Sequence, residues 1–195
     1  MNELFMTYEW LIKYGVTNET KAEDWFDKTL NEKNMFFYKW PSKIEFENNN
    51  ISSIFLGEFF NWDPMKTFEE AKKNGFKSDK KPKTGYYKFA DIDDDYIIAI
   101  HHWIKWHKYG FTRLWDNLSL EIRHNRLNRD NAIKIIEQVG DETPVSEIKK
   151  FCKYVDISSE EFYSICNKFR NSNVWRKENG FWKIENFLIE NWEWK

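Results

Sequence analysis

The residues best suited to chemistry lie on one predicted helix that starts near Phe111. Its large apolar side chains share an arc of about 100° at helical spacing; they are Phe111, Leu114, Trp115, Leu118 and Ile122. Two guanidinium groups, a carboxylate and a hydroxyl lie on roughly the opposite side, those of Arg113, Asp116, Ser119 and Arg123. Because these four groups form one stripe, they could hold an anion. The alternative is an exposed ion-pair network on a helix face, and spacing alone leaves both open.

Further candidates precede this helix, in a run of acids and three histidines. They are Asp91, Asp93, Asp94, Asp95, His101, His102 and His107. The acids lack the glycine and the distal glutamate of a calcium loop, so we predict that they cap the following helix. The histidines are separated by five and six residues, which places them on different helix faces, unlike an i, i+4 zinc pair. We therefore predict no metal site, and histidines that lie on an aromatic surface or are partly buried.

Composition bounds the fold class. The chain has 195 residues, with 11 Trp, 17 Phe and 9 Tyr against only 7 Gly and 4 Pro. Many bulky anchors and few chain breakers favour helices packed around aromatic side chains. We predict one helical domain over 1–195, with N-terminal helices in 1–50, a strand and the central helices in 51–140, and hairpins and an aromatic tail in 141–195.

Charge and hydropathy exclude several classes of partner. The 30 basic and 32 acidic residues give a net charge of −2, so the chain has no excess of cations for a nucleic acid. No window approaches about 18 consecutive apolar residues, and the N-terminus does not resemble a signal peptide. We therefore expect a cytoplasmic protein that binds neither nucleic acid nor membrane. Cys152 and Cys166 lack the spacing of a zinc module.

The elements that must position the stripe are mostly helices. We predict helices over 3–14 and 21–31, with capping candidates at Thr17 and Asn18, and a short helix after Ser42. Asp63 and Pro64 open another helix that Gly75 closes, and a lysine-rich loop covers 77–85. After the central helices, periodic segments predict helices over 130–139, from 143 to about 154, and from Ser158 or Ser159 through 169.

Two segments indicate β-structure. ISSIFLGEFF, residues 51–60, is short, apolar and β-rich, and its segment 51–57 is predicted to be a lone edge strand whose partner could be another chain. VWRKENGFWKI, residues 174–184, has an Asn179-Gly180 turn between aromatic flanks, which predicts a hairpin. The aromatic residues after 184 are predicted to dock on the body of the protein.

Several ordered motifs resemble the N-acetyl sugar amidotransferases of bacterial surface-sugar biosynthesis, which act on O-antigen and pseudaminic-acid sugars. IFLGEFFNWD (54–63) resembles the family's LG-x-[YF]-x-x-W-D, and 97–126 resembles H-x-x-x-K-[YF]-x-K-[YF]-G-[YF]-G-R-A-T-D-x-A-S-x-[ED]-I-R-x-G-R. EEFYSICNKFRNSNVW is similar to E-E-F-x-x-x-x-D-K-F-R-N-x-x-x-W. The similarity covers most of 25–182, and Arg113, Asp116, Ser119, Arg123 and Arg126 match the central motif.

The resemblance implies the C-terminal part of an α/β ATP-pyrophosphatase-like enzyme. The family's N-terminal cysteine pairs and S-G-G-x-D-S phosphate loop are not in this sequence. The implied fold is mainly α, with a parallel-type edge strand at 51–57 that would close the missing sheet and a small C-terminal β-hairpin. The implied function is that of a split or truncated sugar amidotransferase, inactive without a chain that supplies the ATP site.

The family's reaction activates a sugar amide oxygen with ATP, and ammonia from a glutaminase then displaces it. The resemblance therefore implies a phosphate-loop chain and a glutaminase as partners, a nucleotide-linked or amide-bearing N-acetyl sugar as ligand, and no cofactor in this chain. Arg113 and Arg123 would hold negative charge, Asp116 would orient them, and Ser119 would donate to the ligand. A homodimer through the strand, or a non-catalytic module that binds protein or sugar, are the alternatives.

The chain departs from the central motif where the family has small residues. The departures are at Thr112, Leu114, Trp115, Asn117, Leu118 and Asn125. An indole in place of a methyl group, as at Trp115, fills space that a ligand could use. We therefore expect the substrate pocket to be altered or lost.

Overall fold

The computed structural model describes residues 5–15, 20–49, 52–92, 94–190 and 192–194. Backbone contacts divide the chain into two compact units, Met1–Trp62 (unit 1) and Asp63–Lys195 (unit 2). Helices dominate the described residues, so the prediction of a mainly α protein is confirmed. The division into one domain over 1–195 stays a prediction.

Unit 1 contains short helices, turns and strands, and capping by nearby side chains sets where its helices start. Strand β1 (Phe5–Met6) is followed by helix α1 (Tyr8–Tyr14), 3₁₀ turns at Ala22–Trp25 and Phe36–Tyr38, helix α2 (Lys43–Asn48), strand β2 (Ser53–Ile54) and a 3₁₀ turn at Leu56–Glu58. Ser42 caps α2 as predicted, with Glu45 completing a capping box. The candidate caps Thr17 and Asn18 lie outside the described residues.

The helix predicted over 21–31 is wrong, since only one 3₁₀ turn forms there. The Asp27 carboxylate accepts hydrogen bonds from the backbone N–H groups of Thr29 and Leu30, at 2.6 and 2.7 Å. This local turn uses the donors that a continuing helix would need. Helical spacing of apolar residues alone did not reveal that competition.

The predicted strand at 51–57 is shorter than expected and has its partner in the same chain. β2 is antiparallel to β1, with Phe5 opposite Ile54 and Met6 opposite Ser53. The prediction of a parallel-type strand is therefore wrong: residues 5–6, taken as helical, are extended and pair with it. Residue 51 lies outside the described part of the chain.

Unit 2 contains six helices and a hairpin among its described residues. They are α3 (Pro64–Lys73), α4 (Ile97–Tyr109), α5 (Arg113–Arg123), α6 (Arg129–Val139), α7 (Val145–Val155), α8 (Ser159–Lys168), β3 (Trp175–Glu178) and β4 (Phe181–Ile184). Asp63 caps α3 by accepting from the Met65 N–H at 3.0 Å, and Pro64 occupies its first turn, as predicted. The predicted hairpin is confirmed, with positive φ at both Asn179 and Gly180.

Two apolar clusters form the core of unit 2. One joins α4, α7 and α8 through Ile100, Trp103, Ile148, Cys152, Phe162 and Cys166. The other joins α5, α6 and the segment after the hairpin through Leu114, Leu118, Ala132, Ile136 and Ile189. The hairpin packs its buried Trp175 edge-on against Trp106 of α4, with ring centroids 4.9 Å apart. Helix α4 is thus packed against α7, α8 and the hairpin, and it also contacts α5.

Candidate functional site

A sharp turn between α4 and α5 brings their polar side chains together. Gly110 ends α4 in the left-handed region (φ 75°), and a Cβ there would lie only 2.6 Å from Cδ1 of Ile184. Only glycine fits this close approach without strain. Because the chain reverses here, Lys105 of α4 forms a short ion pair with Asp116 of α5.

The start of α5 is held by a carboxylate from a distant segment. Thr112 is the N-cap residue, but its side chain makes no capping hydrogen bond. Glu142 supplies one instead, because it accepts from the Leu114 N–H at 3.0 Å. Its other oxygen accepts from the Gly85 N–H at 2.6 Å. This double acceptor, which we call the Glu142 bridge, fixes Arg113 in the first turn of α5 relative to the preceding loop.

A buried carboxylate faces this first turn. Oδ2 of Asp91 lies 3.6 Å from Nδ1 of His102 and 3.9 Å from Nε of Arg113. All three atoms are buried, and none has a hydrogen-bond partner. These separations are too long for hydrogen bonds but short enough for strong charge interaction. Together with Lys105 and Asp116, these residues form what we call the α4/α5 cluster.

Protonation of this cluster follows from its burial. Desolvation lowers the pKa of His102, while the Asp91 carboxylate opposes that shift. The imidazole is therefore neutral at pH 7 and can accept a proton. Arg113 remains about one-third exposed, at 34% of its side chain, so part of its guanidinium faces solvent. The cluster can present one cation to an anionic group next to a neutral base.

The stripe predicted from the sequence does not form one site. Ser119 donates its hydroxyl hydrogen to the Trp115 carbonyl at 2.8 Å, and Nε of exposed Arg123 donates to the Ser119 carbonyl at 3.4 Å. Asp116 pairs with Lys105 and not with either arginine of the stripe. Arg113 and Asp116 therefore belong to the α4/α5 cluster, whereas Ser119 and Arg123 lie on the exposed part of α5.

Arg126 belongs to a separate network. Its Nε and Nη2 donate to the Glu121 carboxylate at 2.8 and 2.7 Å, and its Nη1 donates to Asp63 Oδ2 at 2.8 Å. Tyr87 also donates its hydroxyl hydrogen to Glu121. The hydrogen bonds from Arg126 hold the pKa values of both carboxyls below their usual range. Every guanidinium nitrogen of Arg126 already has an acceptor, so its contacts are structural.

Sequence reasoning missed three members of the α4/α5 cluster: Asp91, His102 and Lys105. The histidines were compared with the spacing of a zinc site and the acids with helix capping, so an interaction between a histidine and an acid was not considered. The capping prediction holds for Asp94, whose Oδ1 accepts from the Ile98 N–H at 3.1 Å, but Asp95 pairs with Lys150. Asp93 lies outside the described residues. The i, i+3 spacing of a histidine and a lysine on one helix face was the available signal.

The described ranges contain neither a metal-binding cluster nor a membrane-spanning helix. These residues include no group of three or more His, Cys, Asp or Glu side chains arranged to hold a metal ion. None of their helices has both the length and the apolar character needed to cross a bilayer. Cys152 and Cys166 are free thiols buried in the core, and burial raises the pKa of Cys166 to about 11.

Trp115 packs into the second apolar cluster of unit 2. Its ring centroid lies 5.7 Å from that of Phe187, in the segment that follows the hairpin. The aromatic residues after 184 thus dock on unit 2, as predicted, with Phe187 and Trp192 both near Trp106. The large side chain at 115 serves this packing.

Comparison with known proteins gives the chain a family. No curated protein matches it. Residues 83–188 match the family model described as "LPS biosynthesis protein WbpG-like, C-terminal domain". This segment contains α4, α5, the Glu142 bridge and the hairpin, and it spans more than half of the 195 residues. The chain therefore belongs to the WbpG-like family of lipopolysaccharide biosynthesis proteins, as a C-terminal domain.

Proposed function

We propose that this chain is the sugar-side half of an N-acetyl sugar amidotransferase in surface-polysaccharide biosynthesis, acting on O-antigen or pseudaminic-acid type sugars. The observation that carries the proposal is the α4/α5 cluster, where Asp91, His102 and Arg113 present buried polar atoms without partners. Unpaired buried polar groups cost free energy, so they are typical of sites that complete their hydrogen bonds with a ligand.

Arg113 is the best candidate for the anion-binding role. Its guanidinium lies in the first turn of α5, where the positive end of the helix dipole adds to its charge. Asp91 faces only its Nε edge, so the remaining donors can bind a phosphate of a nucleotide-linked sugar. Arg123, by contrast, lies at the last turn of the helix and is exposed.

His102 gives the proposed site an acid–base group, and Lys105 gives it a further positive charge. When ammonia displaces the activated amide oxygen to give an amidine, a proton must leave the attacking nitrogen, and a neutral imidazole near pH 7 is a suitable acceptor. The Asp91 carboxylate lies 3.6 Å from Nδ1 of His102 and acts on the ring through its charge, without a hydrogen bond. Lys105 forms an ion pair with Asp116 and adds positive potential next to Arg113.

The proposed ATP step belongs to another chain. A phosphate loop requires glycines at the N-terminus of a helix, and the seven glycines of this sequence never occur as a pair. The described α-helices also begin at Thr, Ser, Asp, Tyr, Asn or Pro caps and not at glycine loops. A partner with a phosphate loop and a glutaminase would supply ATP binding and ammonia.

The binding part of the proposal is tested by calorimetric titration of the purified chain with a uridine diphosphate-linked N-acetyl sugar. Replacing Arg113 with glutamine should weaken binding about 10- to 100-fold, because one charge-assisted hydrogen-bond pair is lost. The matched control is Arg123→Gln on the same helix, which should change affinity less than about twofold. Equal effects of the two variants would contradict the assignment of the site.

The split-enzyme part is tested separately. The purified chain should release no pyrophosphate from ATP and an amide-bearing sugar, and release should begin when a phosphate-loop partner is added. Pyrophosphate release by the chain alone, above a mock preparation, would overturn this part of the proposal. Sugar binding without any partner-dependent reaction would favour a non-catalytic module.

One observation favours that second candidate. Unit 1 has a surface pocket of about 810 Å³, within the size range of ligand sites. Four aromatic rings line it, those of Tyr8, Phe36, Tyr38 and Trp40, with carboxylates and lysines between them. Aromatic faces beside carboxylates suit a sugar ring. Trp40→Ala would abolish sugar binding under this reading, whereas Arg113→Gln would leave it unchanged.

A further inference from the structure

Arg170 of unit 2 lies against two indole rings. Arg170 follows α8, and its Cζ is 4.3 Å from the ring centroid of Trp175 and 5.4 Å from that of Trp182. Lys177 is two residues beyond Trp175 on β3, so the two side chains lie on the same face of the hairpin. Trp182 of β4 pairs with Lys177, so both indoles lie on that face. The guanidinium is therefore held by cation–π contacts on that face.

The charge of Arg170 has no carboxylate partner among the described residues. Its Nε donates to the amide oxygen of Asn167 at 2.8 Å, which is a neutral acceptor. Its Nη1 is buried and has no acceptor. Burial lowers the pKa of Arg170 to about 10, against the opposing charge of Asp141, so the group stays charged at pH 7. Arg126, in contrast, has two carboxylate partners.

The surroundings add positive charge, and no carboxylate of the described residues lies within ion-pairing distance of Arg170, since Asp141 acts on it only from farther away. Nζ of Lys177 lies 5.9 Å from the centroid of the Trp182 ring and forms no ion pair in the described part of the chain. His107 is buried, and its pKa falls to about 4 because of its burial and the positive charge of Arg170. Two cations thus share one indole ring next to a neutral imidazole. Buried charges in proteins are normally paired, so an anion is missing from this arrangement.

We propose that Arg170, supported by Trp175, Trp182 and Lys177, forms a binding site for a phosphate-type oxyanion. The guanidinium offers charge-assisted N–H donors to phosphate oxygens, with Nε exchanging Asn167 for the ligand, and the ammonium of Lys177 matches a second negative charge. The indoles hold the guanidinium in place before the ligand arrives, which lowers the entropy cost of binding. This site is independent of the α4/α5 cluster and of the function proposed for it.

The chain offers a variant that neutralises the site without removing the arginine. Asn167→Asp places a carboxylate where an amide oxygen already accepts from Nε of Arg170. The substitution should raise the melting temperature in the absence of phosphate, because the cation gains a partner. It should also weaken phosphate binding at least about tenfold, since the ligand then competes with an internal carboxylate.

The measurement is the melting temperature of the full chain against inorganic phosphate concentration, with sodium chloride at matched ionic strength as reference. We expect phosphate to raise the melting temperature of the wild type well above chloride. Arg170→Gln and Asn167→Asp should both lose that increase, and Lys177→Gln should reduce it. The control is Arg176→Gln, whose exposed guanidinium donates only to the Ser172 carbonyl; this variant should respond like the wild type.

Parallel titrations with pyrophosphate and uridine diphosphate identify the source of the oxyanion. Tighter binding of uridine diphosphate would assign the site to a nucleotide-linked ligand, and equal binding would assign it to free phosphate. A wild type that responds equally to phosphate and chloride would overturn the proposal. An undiminished phosphate response in Asn167→Asp would do so as well, and this readout stands even if Arg170→Gln does not fold.

Discussion

The two units differ in how their elements are stabilised. Among the described residues of unit 1, Ala22 is the one buried apolar side chain, while Phe37 is 90% exposed. All other buried apolar residues of the described chain belong to unit 2, where most of them form two clusters. Unit 1 elements are therefore defined by local hydrogen bonds such as the Ser42–Glu45 capping box, and unit 2 elements by a shared core. This contrast shows that sequence length alone does not indicate a core.

The largest expected difference between the units is in core truncation. Leu118 is 1% exposed in unit 2, and Leu118→Ala should reduce the free energy of unfolding by about 3–5 kcal/mol. Ile44 of α2 is 69% exposed, and Ile44→Ala should cost less than about 0.5 kcal/mol. Urea unfolding of both variants measures the difference. Similar losses would mean that unit 1 is buried against something when the protein is folded in solution.

Two glycines, one in each unit, provide a second test of the same comparison. Gly110→Ala combines a positive φ with a Cβ 2.6 Å from Ile184 Cδ1, so we expect a loss of about 2–4 kcal/mol. Gly57 in unit 1 has no heavy atom within 4 Å of such a Cβ, and Gly57→Ala should be nearly neutral. Thermal unfolding followed by circular dichroism tests both. A tolerated Gly110→Ala would contradict the close approach of α4 and the hairpin.

The loss of folding stability at acid pH should come from His107 of unit 2. The folded-state pKa of His107 is lowered to about 4, below its unfolded value, so the unfolded chain binds the proton first as pH falls. Stability is therefore fully present above about pH 6.5 and is lost down to about pH 4, by about 3 kcal/mol. Unfolding free energies at several pH values should show this slope.

The matched variant for this slope is His107→Gln, which removes the ionisable group. Its stability should be less dependent on pH between 6.5 and 4, with a remaining slope in the same direction from His102, whose pKa is also lowered. An identical slope in wild type and variant would mean that His107 is accessible to protons in the folded state.

The smallest expected effect concerns the edge strand of unit 1. Ile54 is 40% exposed in β2, so Ile54→Lys should cost about 1 kcal/mol or less in a monomeric chain. If another chain covers the strand, the lysine is buried without a partner and the loss rises to several kcal/mol. Melting temperature and sedimentation mass, measured together, separate the two cases. A monomer with an unchanged melting temperature would remove the main support for a partner at this strand.

Local signals in the sequence predicted much of the fold. The capping residues Ser42 and Asp63 and the Asn179-Gly180 turn each act over a few residues, and each was predicted correctly. The pairing of residues 5–6 with 53–54 was not predicted, because neither two-residue strand shows a period of its own. Short elements that depend on distant partners leave little trace in local spacing.

The candidate site was predicted only in part, for a similar reason. Arg113 and Asp116 were identified from one helix, but their partners Asp91 and Lys105 come from other segments. Helical periodicity relates residues three or four apart and cannot relate residues 22 positions apart in the chain. Arg126 matched the family motif, and the structure places it outside the α4/α5 cluster, in ion pairs with two carboxylates.

The Glu142 bridge has a consequence for hydrogen exchange. Its carboxylate accepts from the Gly85 and Leu114 amides, which come from segments 57 and 28 residues away. Amide protons bonded to one side chain are released together when that side chain moves, so these two should exchange with deuterium at correlated rates. Opening of the connection between α6 and α7 would then free the first turn of α5 and Arg113 within it.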